Sequence, residues 1–269
     1  VAARSETITA LREGVYAGDG YDICADVDCQ VYAGIGRRND NTDAAIRATR
    51  GLVIAYDGLS LPAYYASNSG GHTENVENVW PDRDRGIPAW TGRFDGDGDH
   101  DLDLTQEADV REWVTAAPPL YANRAAYPQV PQWTQKNFRW QLETTAEDLA
   151  GFIAETKDIG RVMRMEPQGR GPSGRLLALK FIGEEGEVTV GPELAIRQVW
   201  SPPLKSACFV VDPNGDGDVP ESFTITGAGY GHGVGLCQTG AMARAYEGQT
   251  FDEILTFYYS GVDILAAYD

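Results

Sequence analysis

Apolar residues recur with two different periods along this chain, and together they predict a mixture of helices and strands. Residues 1–13 have helical spacing, whereas residues 51–71 read as a hairpin with a turn at Asp57 and Gly58. Later short apolar runs predict further strands, namely RVMRME (161–166), GRLLALKFIG (174–183), EVTVG (187–191), ACFVVD (207–212) and SFTIT (222–226).

Two capping-box patterns mark further helices. Thr144 is followed by Glu147, and Thr250 by Glu253, each before apolar residues at helical spacing. We therefore predict an α+β fold with a β-rich centre flanked by helices, in a single domain over 1–269. An irregular insertion is predicted over 81–135, lying on the surface and broken by a short helix near 107–115.

Two glycine-rich segments carry the candidate chemistry. Residues 227–239 read GAGYGHGVGLCQT around His232, and residues 67–80 read SNSGGHTENVENVW. Glycine lets a backbone bend sharply and approach a ligand closely. We expect the two loops to face one cleft. A nucleotide site is disfavoured, because no register of the first segment gives G-x-G-x-x-G.

Composition narrows the function classes. The net charge is −18, from 22 basic and 40 acidic residues, which argues against nucleic acid and anionic membrane surfaces as partners. No apolar run is long enough to span a membrane. Four cysteines without C-x-x-C spacing fit an extracytoplasmic protein with two disulfides, and reduced buried thiols are the alternative. The opening VAARSETITALREG has no N-cap, so we expect the domain to be incomplete at its N-terminus.

With both loops in view, the chain resembles the family of stage II sporulation protein D and the amidase enhancer LytB (SpoIID/LytB). The resemblance is carried by segments that span almost the whole chain: VAARS (1–5), CADVDCQVYAG (24–34), residues 48–80, FRWQLETTAEDLAG (138–151), GPELAIRQVW (191–200, expected to be a strand), GYGHGVGLCQTGAMARAYEG (229–248) and ILTFYYSGV (254–262). The family acts on bacterial peptidoglycan. Some members are lytic transglycosylases, and others enhance a partner amidase.

This chain departs at two points from the pattern that the resemblance implies. The family's catalytic glutamate would precede Val1, whereas the arginine of that helix is present as Arg4. The cysteines of the family's zinc site match Cys24 and Cys29, but the expected histidine is replaced by Asp28. We therefore expect no zinc there, and disulfides Cys24–Cys29 and Cys208–Cys237 instead.

Cleaving a glycan needs a carboxylic acid that protonates the leaving oxygen. Glu74 in the SGGHTE segment is the candidate acid, and His232 is expected to bind substrate or tune the pKa of that acid, with Arg4 as a third catalytic candidate. The substrate-binding candidates are Ser67, Ser69, Gly70, Gly71, Thr73, Gly233, Gln238 and Tyr258. Each side chain has a structural alternative: Glu74 binds backbone amides, His232 hydrogen-bonds the glycine loop, Gln238 caps a helix, and Tyr258 or Tyr259 belongs to the core.

The acidic clusters suggest calcium. Asp212, Asn214, Asp216 and Asp218 match the first half of a calcium-binding loop, although Phe223 stands where its glutamate is expected. A second, less regular set is Asp95, Asp97 and Asp99. Structural calcium is one reading, and solvated acidic turns are the other.

The sequence thus predicts an extracytoplasmic cell-wall protein whose partner is the glycan strand of peptidoglycan. The leading function is a lytic transglycosylase, with catalytic competence left open. The alternatives are a non-catalytic peptidoglycan-binding or amidase-enhancing module, with an amidase as a further partner, and a calcium-stabilised structural domain.

Overall fold

The computed structural model describes residues 1–26, 29–83, 86–217 and 219–268. The helices are α1 (Ala2–Glu13), α2 (Asp40–Ala48), α3 (Val76–Val79), α4 (Glu107–Thr115), α5 (Gln135–Phe138), α6 (Ala146–Ala154), α7 (Glu193–Gln198), α8 (Gln238–Tyr246) and α9 (Phe251–Tyr258). The strands are β1 (Leu52–Tyr56), β2 (Leu59–Ser60), β3 (Tyr65–Ala66), β4 (Arg139–Thr145), β5 (Val162–Pro167), β6 (Leu179–Gly183), β7 (Glu187–Val190), β8 (Phe209–Asn214), β9 (Ser222–Ala228), β10 (Leu236–Cys237) and β11 (Asp263–Ala266). The predicted α+β class, with a β-rich centre between helices, is confirmed.

The strands of these ranges form small sheets. Three are antiparallel, with the orders β11–β1–β2, β4–β9–β8 and β5–β6–β7. The fourth pairs β3 with β10 in parallel, so that Tyr65 lies opposite Leu236 and Ala66 opposite Cys237. This short parallel pair matters for the site, because β3 leads directly into the segment 67–80 and β10 lies near the end of the segment 227–239.

Local patterns explain most of these elements. Along β6 buried and half-buried residues alternate, as expected for a strand with one face on a core. Thr250 and Glu253 form the predicted capping box at the start of α9. The other predicted box is displaced by one residue. Thr145, not Thr144, caps α6 and accepts from the N–H of Asp148. Thr144 is held in extended backbone by pairing with Phe223.

The segment 191–200 was expected to be a strand, and that expectation is wrong. It contains α7, in which Ile196 is buried. Trp200, four residues after Ile196 and just beyond the end of α7, is buried as well. Both side chains join the core formed by the central sheets, α6 and α7. Helical spacing of two large apolar residues therefore outweighed the short apolar run.

The surface placement of residues 81–135 holds for only part of the segment, in which the predicted helix is present as α4. Trp90 and Trp113 are only 1% and 4% exposed, and Leu104 and Leu120 are buried with them. These side chains form part of the core that also contains β1 and α9. Burying a large aromatic side chain stabilises the fold by about 1.5–3 kcal/mol, which draws even an irregular segment inward. Whether this segment is an insertion stays a prediction.

In the described ranges, no helix is both long and apolar enough to cross a membrane.

Candidate functional site

The two glycine-rich segments lie side by side, joined by main-chain hydrogen bonds. Asn68 and Tyr230 exchange two of them, at 3.1 and 2.8 Å, and the N–H of Glu74 donates to the carbonyl of Gly233 at 2.9 Å. We call residues 67–74 with 229–238 the loop junction. Its residues are largely interior, so the expected meeting of the loops is confirmed, whereas their exposure in a cleft is not.

Glycine is required at the junction for two separate reasons. Gly233 has a φ of +83°, and a Cβ there would lie 2.4 Å from the Cζ of Arg175. Gly70 has a φ of +77°, and its Cβ would lie 3.0 Å from the nitrogen of Gly229. L-amino acids with side chains rarely adopt such backbone, and the space is filled. These glycines therefore allow close packing of protein against protein.

The Glu74 carboxyl is 0% exposed and is surrounded by donors. Its Oε1 accepts from the Asn75 N–H at 2.9 Å and from the Asn78 amide at 2.8 Å. Its Oε2 accepts from the Ser173 N–H at 3.3 Å and from the Ser173 hydroxyl. Burial raises the pKa of Glu74, and these hydrogen bonds and the charge of Arg175 oppose the rise. The contacts match the structural alternative, in which Glu74 binds backbone amides.

Arg175 is the central residue that sequence reasoning missed. Its guanidinium is buried and donates to the Ser173 hydroxyl at 3.0 Å, to the Ser69 carbonyl at 3.4 and 3.5 Å, and to the Gly231 carbonyl at 3.2 Å. Through Ser173 it is linked to the carboxyl of Glu74. Arg175 lies in a segment predicted to be a strand, and no motif marked it, so only the three-dimensional arrangement identifies it.

His232 has both ring nitrogens engaged by main chain. Its Nδ1 accepts from the N–H of Val234 at 3.0 Å, so its Nε2 carries the proton and donates to the carbonyl of Tyr65 at 2.9 Å. Burial lowers the pKa of His232 to about 3, and the nearby charge of Arg175 lowers it further. The imidazole is therefore neutral near pH 7. These contacts match the alternative in which the histidine hydrogen-bonds the glycine loop.

An aromatic cluster lies between His232 and the protein surface. The Trp80 ring lies 4.7 Å from the His232 ring, and the guanidinium of Arg83 lies 4.9 Å from the Trp80 ring. Arg83 also lies 5.6 Å from the ring of Tyr64. Arg83 is exposed, so this stack connects the interior junction with the protein surface.

The predicted substrate-binding hydroxyls of residues 67–74 form hydrogen bonds with other groups of the protein. The Ser67 hydroxyl accepts from the Asn137 amide at 3.1 Å. The Ser69 hydroxyl accepts from the Gly71 N–H at 3.1 Å, and the Thr73 hydroxyl accepts from the Arg93 N–H at 2.8 Å. Gln238, the first residue of α8, is exposed, as is 42% of Tyr230.

Asp95 and Tyr258 form a buried polar network, contrary to their predicted roles. Arg244 donates to Asp95 Oδ1 at 3.0 Å, and the Tyr258 hydroxyl donates to Asp95 Oδ2 at 2.8 Å. Asp95 is therefore an ion-pair partner, and the prediction that it binds calcium is wrong. Tyr258 is 1% exposed and cannot stack on a sugar, and Tyr259 is equally buried. Tyr258 is the last residue of α9 and Tyr259 follows it directly, and both side chains lie in the core.

The other calcium candidates are dispersed. Asp97 accepts from the Tyr121 hydroxyl at 3.0 Å, and Asp99 is exposed. Asp212 pairs with Arg111 at 2.8 Å. Asn214 donates to the hydroxyls of Ser222 and Thr224 at 3.0 and 2.9 Å. Asp216 is exposed, and Asp218 lies outside the described residues.

Within the described ranges, no group of three or more His, Cys, Asp or Glu side chains is arranged to hold a metal ion. Calcium at the Asp212 turn stays a prediction, which thermal unfolding with calcium or a chelator would test.

One of the two predicted disulfides is present, and the other is not. Cys24 and Cys29 form the predicted disulfide, with Cα atoms 5.6 Å apart. A disulfide presents no thiolate, so this pair does not fit the zinc site that the family resemblance implied. The predicted Cys208–Cys237 bridge is wrong, because both are buried free thiols. Cys208 donates to the Ser173 carbonyl at 3.4 Å, whereas Cys237 accepts from the N–H groups of Ser69 and Gly240 at 3.2 and 3.3 Å.

Arg4 is engaged away from the junction. Its guanidinium donates to the carbonyls of Thr49 and Leu52 at 2.6 and 2.9 Å and so fixes α1 against the turn before β1. Within the residues described, it makes no hydrogen bond to Glu74 or His232. This geometry supports a structural role.

Comparison with known families places these features in context. Residues 74–235 match the family profile described as domain of unknown function DUF8618. Because that match covers more than half of the chain, the chain belongs to this family. Residues 1–56 match the profile described as stage II sporulation protein. Together with the relatives that follow, that match confirms the SpoIID/LytB resemblance.

The curated relatives extend over most of the chain. It is 28% identical to the amidase enhancer of Bacillus subtilis (strain 168) over 98% of its own length and 37% of that protein. It is 26% identical to the stage II sporulation protein D of Bacillus amyloliquefaciens over 83% of its length and 50% of that protein. An uncharacterised protein of Brachyspira hyodysenteriae is 28% identical over 91% of this chain and 54% of that protein. The chain thus spans about half of these relatives' length or less.

Proposed function

We propose that this protein is an extracytoplasmic cell-wall module that binds the glycan strands of peptidoglycan and assists a cell-wall amidase. The observation that carries the proposal is the internal engagement of both candidate catalytic side chains. Glu74 accepts from four donors, and His232 has no unbonded ring nitrogen. The likeness to an amidase enhancer over 98% of this chain supports the assisting role.

The binding surface in this proposal is the outer rim of the loop junction. Tyr230 and Gln238 are exposed there, while their main chains are fixed by the packed glycines below. A preformed surface loses little conformational entropy on binding. An exposed tyrosine offers both an apolar ring face and a hydroxyl, which suits a sugar ring.

The test is co-sedimentation of the protein with purified peptidoglycan sacculi. We expect the protein to pellet with sacculi, and Tyr230→Ala to lower the bound fraction about fivefold or more. Tyr246→Ala is the matched control, because Tyr246 is an exposed tyrosine on α8. Equal pelleting of both variants would remove the junction rim from the binding surface.

A second assay addresses the two activities. In the presence of a cell-wall amidase from the same source, the protein should accelerate release of peptide from sacculi. Lytic transglycosylase activity is the second candidate, since it follows from the SpoIID/LytB resemblance. Abundant 1,6-anhydro-muropeptides that disappear in Glu74→Gln would favour that candidate and overturn the assignment of Glu74 to the scaffold.

A further inference from the structure

A cavity of about 190 Å³ lies beside α1, outside the loop junction. Its walls come from α1, from the segment between α1 and the Cys24–Cys29 disulfide, and from the end of the aromatic stack described above. The lining residues that matter here are Glu6, Glu13, Tyr16, Tyr64, Arg83 and Ala10. We call it the α1 pocket.

Glu6 has an unmet bonding requirement in this pocket. Its Oε2 is buried and has no hydrogen-bond partner among the described residues. Burial raises the pKa of Glu6 to about 6. The Ala63 N–H and the charge of Arg83 oppose that rise, and the charge of Glu13 adds to it. A buried ionised oxygen without a donor is costly, so a ligand that supplies a charged donor gains binding free energy here.

The charges around the pocket favour a cation at Glu6. Two carboxylates, those of Glu6 and Glu13, and one guanidinium, that of Arg83, line the pocket. Arg83 is already stacked on the rings of Trp80 and Tyr64, and Glu13 is bonded to Arg12 at 3.1 Å. Tyr16 and Tyr64 add tyrosine surface, which attracts cations through the ring faces.

We propose that the α1 pocket binds a primary ammonium group, with the carboxylate of Glu6 as its direct partner. An ammonium donates three hydrogen bonds and fits a compact site. It would compensate the charge that burial now penalises, and a turn of the Glu6 carboxyl about its terminal bond would bring the buried Oε2 to the ammonium. Arg83 at the pocket's edge can receive a carboxylate when the ligand carries one.

Two sources share this chemistry within the polymer of the proposed function: an amino sugar that lacks its acetyl group, and the free amine of a peptide branch. The inference rests on the proposed function only for the origin of the amine. The pocket itself is tested with small probes.

The experiment is a titration of the full chain at pH 7.5, followed by two-dimensional NMR. The probes are glucosamine, N-acetylglucosamine, lysine and Nε-acetyl-lysine. We expect signals from the pocket residues to shift with glucosamine or lysine, and their order of affinity identifies the source. N-acetylglucosamine should not bind. Lysine retains its α-amine after Nε-acetylation, so loss of binding on that acetylation identifies the side-chain amine as the group bound.

Three variants examine the role of Glu6. Glu6→Gln keeps the shape and removes the charge, and should weaken amine binding at least about tenfold. Glu13→Gln, on the same helix and the same pocket, should weaken it only about twofold. Ala10→Leu fills the pocket while leaving Glu6 intact, and should abolish binding even if Glu6→Gln proves poorly folded.

Equal binding of glucosamine and N-acetylglucosamine would overturn the proposal, as would unchanged affinity in Glu6→Gln or Ala10→Leu. No shift with either amine would also overturn it. Sacculus co-sedimentation is scored separately on the unmodified protein. Absence of amine binding with intact pelleting defeats only the α1 pocket, whereas pelleting that fails while the amine binds defeats only the proposed glycan-binding function.

Discussion

The loop junction and the α1 pocket each contain a glutamate with a buried carboxyl oxygen, but the two glutamates have opposite surroundings. Glu74 accepts from main-chain and side-chain donors on both carboxyl oxygens. Glu6 leaves one buried oxygen without a partner, beside a cavity. Burial raises the pKa of both. A shifted pKa therefore indicates burial at both sites, whereas Glu6 alone of the two combines an oxygen without a donor with an adjacent cavity that a ligand can enter.

The same comparison shows that the region richest in sequence motifs is not the region with an unmet bonding requirement. The junction holds the conspicuous glycines and histidine, yet its groups bind one another. The α1 pocket depends on an ordinary glutamate within a helix. Glycine signals a backbone requirement, and here that requirement is the close approach of two loops to Arg175. We therefore expect changes in the interior of the junction to act on stability, and changes at Glu6 to act on amine binding as well as on stability.

The largest expected effect is at Arg175. Arg175→Met removes donors to the Ser69 and Gly231 carbonyls and to Ser173, and it leaves Glu74 buried without a nearby positive charge. Removing one partner of a buried charged network costs about 3–5 kcal/mol. Urea unfolding should show that loss in the free energy of unfolding. Arg161→Met is the control, since Arg161 is exposed, and it should change stability by less than about 0.5 kcal/mol. Similar values for the two variants would contradict the junction's dependence on Arg175.

The fold class was predictable because it depends on local periodicity. Alternation in β6, the capping box of α9 and the strands around 207–226 were all visible in the sequence. The errors arose where tertiary packing decided. Ile196 lies in a helix and packs with Trp200 in the core around α6 and α7, and Trp90 and Trp113 were drawn into the core that contains β1 and α9.

The candidate site was predictable only in its location. Glycine spacing placed the two loops together, and their hydrogen bonds confirm it. Glycine spacing did not reveal that the side chains of Glu74 and His232 point inward. A sequence shows which groups are polar but not which donors surround them. Glu6 carried no motif, since an unmet bonding requirement is a property of the packed structure alone.

The second prediction concerns pH and His232. Its folded pKa of about 3 lies below the ordinary 6.5, so the folded protein holds fewer protons than the unfolded chain. This stability is complete above pH 6.5 and is lost as pH falls towards 3. By pH 5 the loss is about 2 kcal/mol. His72, with a pKa of about 4, acts in the same direction.

Thermal unfolding from pH 7.5 to 5 checks the prediction. His232→Asn cannot titrate, so its stability should fall by about 2 kcal/mol less than that of the wild type over this range. The comparison uses the pH dependence, not the absolute stability, because asparagine changes the hydrogen bond to Tyr65. An unchanged pH dependence would mean that His232 is not held neutral by the junction.

The third prediction concerns Glu6 in the α1 pocket, whose effect on the pH dependence of stability has the opposite sign to that of His232. The pKa of Glu6 rises from 4.5 to about 6, so its ionised form destabilises the fold. The cost is absent below pH 4.5 and complete above pH 6. Glu6→Gln should therefore stabilise the protein by up to about 2 kcal/mol at pH 8 and by nothing at pH 4. Glu112→Gln, at an exposed position of α4, should be neutral at both. Destabilisation by Glu6→Gln at pH 8 would show that the carboxylate already has a partner.

The smallest expected effect is at Tyr65, which links the junction to α1, the helix that lines the pocket. Its carbonyl accepts from His232, and its hydroxyl donates at 2.8 Å to Gln30, whose amide donates in turn to Ala3 and Thr7 of α1. Tyr65→Phe removes only the hydroxyl bond and should cost about 0.5–1.5 kcal/mol. Since the carbonyl remains, this loss should add to that of His232→Asn within about 0.5 kcal/mol at pH 7.5. A larger deviation in this double-mutant cycle would mean that junction and pocket form one coupled network, and changes at either would then alter both stability and amine binding.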